Sequence, residues 1–211
     1  MPTFGLRIRW DDLELRLPDD VELVALADLA ASGVHAPGAF SWPWTRGSRD
    51  EVRRNVLTHQ WSNRGRTAVD DWALSLGVFW DGEIVGLQEV SAKGFLVARS
   101  ARTGSWLGLR HQGQGIGTRM RLAALHLAFE GFDAAEMRSE AYDDNAASNA
   151  VSRRLGYEAN GCRITVRDER PAVENSYRMT RERWEARKDD LRPEIELEGL
   201  ASVRELLGLE K

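Results

Sequence analysis

The chain has 211 residues, of which 42% are hydrophobic and 29% are charged, and its net charge is −4. This composition is typical of a soluble globular protein with one sizeable core, and the acidic balance offers no broad basic field for a nucleic acid. No run approaches the roughly 18 apolar residues of a membrane span. The one cysteine, Cys162, excludes an internal disulfide and a multi-cysteine metal cluster. We therefore expect no metal, no membrane and no nucleic-acid partner, and a reducing, cytoplasmic location.

The amino-terminal part of the chain predicts strands followed by two helices. Residues 6–17 alternate between apolar and polar side chains, which predicts a strand or a hairpin. Pro18 and the two acids after it suit the first turn of a helix. Ser48 and Glu51 have the spacing of a capping box, which predicts a second helix over residues 49–66.

The loop between these helices carries Trp42 and Trp44 on either side of a proline. Two interpretations remain open and are compatible. The tryptophans pin the loop to the core, or they form a wall of an acceptor-substrate pocket. We therefore take Trp42 and Trp44 as candidate substrate-binding residues.

From residue 71 the apolar pattern repeats every two residues. Segments 72–80 and 83–90 flank an Asp81-Gly82 turn, which predicts a hairpin. A further strand is predicted over about residues 98–110. Such an antiparallel meander differs from the strand–helix alternation of a dinucleotide-binding fold.

The next segment reads as a strand end, a turn with Gly113, Gly115 and Gly117, and a helix from Thr118 to Glu130. Backbone N–H groups at a helix start lack partners and carry partial positive charge, so this arrangement predicts an anion site for phosphate or pyrophosphate. No lysine follows the glycines as in a Walker A loop, and the spacing is one residue short of the dinucleotide fingerprint. A glycine-rich turn without a ligand remains an alternative.

Residues 144–157 predict a second informative helix. Four short uncharged polar side chains fall within about one face of it: Asn145, Ser148, Asn149 and Ser152. The opposite, core-facing side is predicted to carry Ala147, Val151 and Leu155. The polar stripe is either a solvated face or a surface for an extended ligand that bears amides, because asparagine and serine are weaker helix formers than the usual surface residues.

Together these motifs resemble the GCN5-related N-acetyltransferase (GNAT) superfamily. The Gln-x-x-Gly-x-Gly pattern begins at Gln112, and an Asn-x-x-Ser pattern that ends in Gly-Tyr begins at Asn145. Within the superfamily the chain resembles the RimJ/RimL-type branch of ribosomal-protein N-terminal acetyltransferases, in an actinobacterial subgroup that includes succinyltransferases. The resemblance implies an α/β (α+β) fold with a mixed, largely antiparallel twisted sheet that splays open after the fourth strand and is flanked by helices. It also implies an acyltransferase domain over residues 1–181, with a helix and appendage over residues 182–211 packed on it or on a partner subunit of a homo-oligomer.

The resemblance assigns coenzyme A to the opening of the sheet. The backbone from Leu107 to Leu109 would bind the pantetheine arm, and Asn145, with Ser148 or Asn149, would reach the same arm. The pyrophosphate would lie on the backbone N–H groups of Gln112, Gly113, Gln114, Gly115, Ile116, Gly117 and Thr118.

The implied activity is an N-acyltransferase that moves acetyl, or succinyl as a variant, from acetyl-CoA or succinyl-CoA to a protein N-terminus, a lysine or a small amine. The candidate general bases are Glu89, Glu140 and Asp143. Glu89 is the first choice, because it shares a strand face with Val85 and Leu87. Many family members place a tyrosine as general acid where this chain has Ser152; a serine can hydrogen-bond the sulfur, and a thiol of pKa near 8.5 needs little acid help. A non-catalytic coenzyme A-binding protein and an NAD-dependent enzyme remain alternatives.

Overall fold

The computed structural model describes residues 1–36 and 42–210. Its described part contains a nine-stranded sheet in the order β7-β8-β6-β5-β4-β3-β2-β1-β9. The strands are β1 Arg7–Trp10, β2 Leu13–Arg16, β3 Asp71–Trp80, β4 Glu83–Lys93, β5 Ser100–Leu107, β6 Glu136–Tyr142, β7 Glu158–Arg167, β8 Arg170–Thr180 and β9 Glu196–Glu198. The helices are α1 Asp20–Ala31, α2 Arg49–Arg66, α3 Phe95–Ala98, α4 Ile116–His126, α5 Ala146–Arg154, α6 Arg181–Glu185 and α7 Leu200–Leu206. The predicted fold class, a mixed and largely antiparallel sheet flanked by helices, is confirmed.

Local signals account for several of these boundaries. α2 starts at a capping box in which the Ser48 hydroxyl accepts from the Glu51 N–H and the Glu51 carboxylate accepts from the Ser48 N–H. The β3–β4 hairpin turns at Asp81-Gly82, where both residues have positive φ. The predicted helix and hairpin are therefore confirmed at these positions.

Two apolar cores cover the two faces of the sheet. On one face, α4 and the turn after it bury side chains such as Met120, Leu125 and Phe129 against the strands. On the other face, α1 and α2 bury Leu26 and Val56 against β4. Full burial of one such side chain contributes about 1.5–3 kcal/mol, so packing against both helical layers stabilises the sheet.

The sheet opens between β5 and β6, the one parallel pair in the described part of the chain. Their pairing runs from Ser100 with Glu136 to Thr103 with Ser139 and then stops, although β5 continues to Leu107. The opening therefore follows the fifth strand in chain order rather than the fourth, because the amino-terminal hairpin supplies two strands.

Three predicted boundaries differ from the structure. The strand predicted over residues 98–110 is only β5, because α3 precedes it and a tight turn over Leu109–His111 follows it. α4 starts at Ile116, two residues before the predicted Thr118. It ends at His126, where a π-helical turn, Leu127–Gly131, takes over.

The carboxy-terminal segment adds to both the sheet and the core. β9 pairs antiparallel with β1 at the edge of the sheet, and Val203, Leu207 and Leu209 are buried in the larger core. The domain boundary between residues 181 and 182 and the contact with a partner subunit remain predictions.

Candidate active site

A cleft of about 510 Å³ is lined by β5, the glycine loop, α4 and the start of α5. In the wall of the cleft, Gly104 and Leu107 belong to β5 and Gly113 belongs to the glycine loop. Thr118 belongs to α4, and Asn145 lies at the start of α5. The cleft thus coincides with the end of the β5–β6 pairing. It is where the sequence motifs converge in space.

The glycine loop presents free backbone donors to this cleft. Gly113 and Gly115 have φ of 75° and 82°, which side-chain-bearing residues rarely adopt. Within the described chain, the N–H groups of residues 113–117 have no intramolecular acceptor. At the flanks, Gln112 N–H donates to Leu109 O and Thr118 N–H donates to Gly115 O. The predicted set of seven donors therefore shrinks to five, which form a cluster for an anion at a helix start.

The strand edge that faces the cleft differs from the predicted one. Leu109 lies outside β5, and its N–H donates to Gly33 O at 2.9 Å. Leu107 O already accepts from the Gln112 side chain at 2.9 Å. The expected contribution of Leu109 to an extended pantetheine-binding strand is therefore corrected, whereas Leu107 lines the cleft and its contact stays a prediction. The edge of β5 that β6 leaves unpaired covers residues 104–107.

The start of α5 places two of its four polar side chains on the cleft. Asn145 is the N-cap, and its side-chain oxygen accepts from Ser148 N–H at 3.1 Å. Both Asn145 and Ser148 line the cleft, whereas Asn149 and Ser152 are buried and do not. Ala147, predicted to face the core, is exposed and lines the cleft.

Asn149 is a scaffold residue in this structure. Its amide nitrogen donates to the carbonyl oxygens of Tyr142 and Asn145, each at 2.8 Å. Its side-chain oxygen accepts from Tyr177 Oη at 2.6 Å and from Asn175 at 3.2 Å. These contacts use its hydrogen-bonding capacity, so the predicted cofactor contact of Asn149 does not fit.

Ser152 is also placed away from the chemistry. Its relative exposure is 0%, and its hydroxyl has no hydrogen-bond partner within the described chain. A fully buried side chain that is absent from the cleft wall cannot hydrogen-bond a ligand sulfur in this conformation. The predicted catalytic role of Ser152 is therefore corrected.

A second pocket, of about 440 Å³, lies next to the cleft and shares Glu89, Gly104 and Trp42 with it. Trp42 packs against Tyr142 with ring centroids 5.6 Å apart, and Trp44 packs against Trp106 at 5.7 Å. The loop tryptophans thus anchor the loop and also line the pocket. Both interpretations, a loop pinned by its tryptophans and a wall of an acceptor pocket, therefore remain open. Trp106, predicted only as a strand residue, is the third tryptophan of this pocket.

Glu89 lies where the two pockets meet and is the centre of a polar network. Its Oε2 lies 2.8 Å from Ser75 Oγ, 2.9 Å from Asn63 Nδ2 and 3.0 Å from His59 Nε2. Burial raises the pKa of Glu89, but the hydrogen bonds from His59 and Ser75 outweigh it, so the net pKa is lowered. Glu89 is therefore ionised at neutral pH.

His59 was not singled out from the sequence, yet it lines the second pocket. His59 Nε2 lies 3.0 Å from Glu89 Oε2 and also 3.0 Å from Asn63 Nδ2. Because an ionised carboxylate only accepts hydrogen bonds, we assign the ring proton to Nε2, in the contact with Glu89. In the neutral ring the other nitrogen, Nδ1, then has the free lone pair. The sequence did contain a signal for a polar site on α2. The apolar stripe of Val52 and Val56 continues along the helix as the polar residues Gln60 and Asn63, both buried, and His59 is adjacent to them.

Arg121 is a buried cation on the wall of the cleft. It is 4% exposed, and it donates to Ser139 Oγ at 2.8 Å and to Ser105 Oγ at 3.0 Å. No carboxylate of the described residues lies within ion-pair distance of it. Burial raises the pKa of neighbouring Tyr157 to about 12, so Tyr157 stays neutral and supplies no counter-charge. An uncompensated buried guanidinium favours an anionic ligand.

The described residues hold no group of three or more histidine, cysteine, aspartate or glutamate side chains placed to bind a metal ion. They also contain no helix with the length and apolar character needed to cross a bilayer.

Comparison with known proteins identifies the family. Residues 12–158 match the Acetyltransferase (GNAT) domain, so the chain belongs to this family. Among solved structures, RimL, the ribosomal L7/L12 alpha-N-protein acetyltransferase, in complex with coenzyme A, is 27% identical with a TM-score of 0.64; the match covers 81% of this chain and 95% of RimL. The Salmonella typhimurium acetyl transferase that modifies the N-terminal serine of L7/L12 is 24% identical with a TM-score of 0.65, over 81% and 96% of the two chains.

A third similar structure is the microcin C7 self-immunity acetyltransferase MccE in complex with acetyl-CoA and AMP. It is 20% identical with a TM-score of 0.62, over 81% of this chain and 93% of MccE. The neighbours thus include RimL enzymes, which matches the RimJ/RimL-type branch. The chain is a GNAT acetyltransferase, and the activity supported for it is acyl-CoA-dependent N-acetyl transfer.

Proposed function

We propose that this protein transfers an acyl group, acetyl by default, directly from a coenzyme A thioester to a primary amine held beside Glu89. The observation that carries the proposal is the set of five N–H groups over residues 113–117 that find no acceptor among the described residues, in a cleft that leads to Glu89. These donors suit the pyrophosphate of coenzyme A. The unpaired edge of β5 over residues 104–107 suits the amides of the pantetheine arm, and Asn145 and Ser148 offer further polar groups along the cleft.

The acid–base chemistry of the proposal rests on Glu89 and His59. The amine must be neutral to attack the thioester carbonyl; a C–N bond then forms, the C–S bond breaks, and coenzyme A leaves as thiolate. His59 Nδ1 takes the proton that the amine loses, and the Glu89 carboxylate orients the ring and stabilises its charged form. Glu89 thus keeps its proposed catalytic place, but it acts through His59 because its lowered pKa makes it a weak terminal base. The thiolate needs little acid help, because a thiol has a pKa near 8.5.

The acceptor is proposed as a protein N-terminus, a lysine or a small amine. An α-amine has a pKa of about 7.7–8.0 and is partly neutral at working pH, whereas lysine at about 10.4 needs more desolvation. Trp42 and Trp44 support an acceptor pocket because both line the cavity beside Glu89. A cytoplasmic location, where acyl-CoA is made and a lone cysteine stays reduced, completes this proposal.

A second donor, succinyl-CoA or another dicarboxylic acyl-CoA, is favoured by Arg121. A donor carboxylate beside this guanidinium would compensate a buried charge that donates to two serine hydroxyls and has no carboxylate partner among the described residues. Arg121→Met keeps the length of the side chain and removes its charge. We expect this variant to lower kcat/KM for succinyl-CoA by roughly 10- to 100-fold and to leave acetyl-CoA nearly unaffected. Equal losses with both donors would contradict a carboxylate site.

Thermal unfolding with added ligands tests the donor site itself. Acetyl-CoA at about one hundred times its Kd stabilises the folded protein by roughly 2.7 kcal/mol, which shifts the midpoint measurably. Coenzyme A, succinyl-CoA and NAD are run in parallel. A shift with the coenzyme A series supports the proposal, whereas a shift with NAD alone would contradict it.

A further inference from the structure

The pocket beside Glu89 has a polar group at its base as well as aromatic walls. Gln60, on α2, is only 1% exposed and yet is among the residues that line this pocket. Both its Oε1 and its Nε2 lack a hydrogen-bond partner within the described chain. A buried amide left without partners is costly, so its position in the wall of a pocket that three tryptophans line indicates a ligand that satisfies it.

The tryptophans limit the shape of that ligand. Trp44 and Trp106 already touch each other, with centroids 5.7 Å apart, so no ring fits between them. They offer one tilted aromatic wall, and Trp42 stands on the cleft side of the pocket. Flat rings pack well against such walls.

The geometry of a glutamine amide limits the polar edge of the ligand. Its oxygen and nitrogen lie side by side, so it pairs best with a donor and an acceptor that are also side by side, as glutamine does with the edge of adenine. The N–H and C=O of a single trans peptide bond point in opposite directions, so one peptide bond meets only one end of the amide. An extended peptide presents a donor and an acceptor on one edge only through the N–H and C=O of one residue, which is why a peptide acceptor is included in the test below. A lactam or a nucleobase presents both on one edge.

We infer that this pocket recognises an acceptor whose head is a flat ring with a hydrogen-bond donor and acceptor adjacent on one edge, which Gln60 reads. The amine of this acceptor would then extend toward His59 and Glu89, which line the same pocket. The inference rests on the proposed acyl transfer and names the class of its acceptor.

The test compares two amines of the same shape in the full-length protein with saturating acetyl-CoA. One is an aminomethyl isoquinolone, whose lactam offers the paired edge, and the other is aminomethyl naphthalene, which has none. We expect kcat/KM to favour the lactam by roughly 10- to 100-fold, the range of a bidentate contact. Gln60→Met should reduce this preference to about twofold or less. Because the ratio is taken within each variant, a loss of folded protein cancels.

The matched control is Gln88→Met. Gln88 is also a buried glutamine, but it lies on β4 outside the pocket wall, and its amide donates to Gly104 O at 3.1 Å. Its substitution should leave the lactam preference unchanged. A serine-initiated tripeptide is added as a peptide acceptor.

Each remaining outcome has one meaning. Equal rates for the two ring amines, a preference that survives Gln60→Met, or a tripeptide that exceeds the lactam in a Gln60-dependent way would overturn the inference. A thermal shift with acetyl-CoA but no turnover of the lactam would overturn it while leaving the donor site intact. No turnover and no shift would refute the proposed function and this inference together.

Discussion

Gly117 offers a way to add charge at the proposed pyrophosphate site without crowding it. A Cβ at this position would lie 3.8 Å from Leu107 Cδ1 and 3.9 Å from Val151 Cγ2, which are ordinary van der Waals contacts. The residue sits in the first turn of α4, where an aspartate interacts favourably with the helix dipole. Gly117→Asp is therefore expected to fold, and Gly117→Asn is the uncharged control of the same size.

The two expected effects of Gly117→Asp have opposite signs. Without ligand, the dipole interaction should stabilise the fold by about 0.3–1 kcal/mol relative to the asparagine control. With a phosphate roughly 5 Å away and an effective dielectric constant between 20 and 80, like-charge repulsion should cost the complex about 1–3 kcal/mol. The Kd for acetyl-CoA should therefore rise roughly 5- to 150-fold.

Isothermal titration with acetyl-CoA measures the affinity, and thermal unfolding without ligand measures the stability. A tenfold higher Kd would cut the stabilisation by ligand from roughly 2.7 to about 1.4 kcal/mol at a concentration that saturates the control. If Gly117→Asp and Gly117→Asn bind acetyl-CoA equally well, no phosphate lies on these N–H groups and the site is wrongly placed.

Three further substitutions test residues around the site. Glu89→Gln should abolish most of the acyl transfer and destabilise the fold at neutral pH. Because the pKa of Glu89 is lowered on folding, its charged form stabilises the protein fully above the ordinary pKa near 4.5, and the stability difference should disappear as pH falls through the lower pKa of the folded state. A pH-independent difference in urea unfolding would contradict that role. Asn149→Leu leaves the Tyr177 hydroxyl without its acceptor and removes one of two donors from the carbonyls of Tyr142 and Asn145, so we expect a loss of about 1–3 kcal/mol by the same method. Ser152→Ala removes a buried hydroxyl that lacks a partner, so stability should stay equal or rise by up to about 1 kcal/mol with kcat unchanged; a kcat loss above about tenfold would restore the catalytic role predicted for Ser152.

Sequence reasoning was strongest where one short segment sets its own backbone. The capping box at Ser48 and the Asp81-Gly82 turn are local interactions, and both appear as predicted. The glycine loop is similar, because positive φ at Gly113 and Gly115 is a property of the glycines themselves. These local signals were enough to predict the start of α2 and the hairpin, and they support the proposed anion site.

The remaining features depend on contacts between distant segments. A helical wheel puts Asn149 and Ser152 on the same face as Asn145, but only the packing of β6 and β8 against α5 determines that the first two are buried. His59 meets Glu89 across 30 residues of chain. Arg121 reaches Ser105 and Ser139 only because β5 and β6 separate in front of α4. Polar residues on an apolar helix face were the available signal, and they do not name their partners.

The release of free thiol from acetyl-CoA tests the central claim most directly. The purified protein is incubated with acetyl-CoA, with and without the isoquinolone amine and the serine-initiated tripeptide, and thiol appearance is followed together with the mass of the amine. The account predicts thiol release that requires an amine, a matching amount of N-acetylated product, and loss of both in Glu89→Gln. Binding of acetyl-CoA without amine-dependent thiol release from any acceptor would contradict it and would favour a coenzyme A-binding protein that does no chemistry.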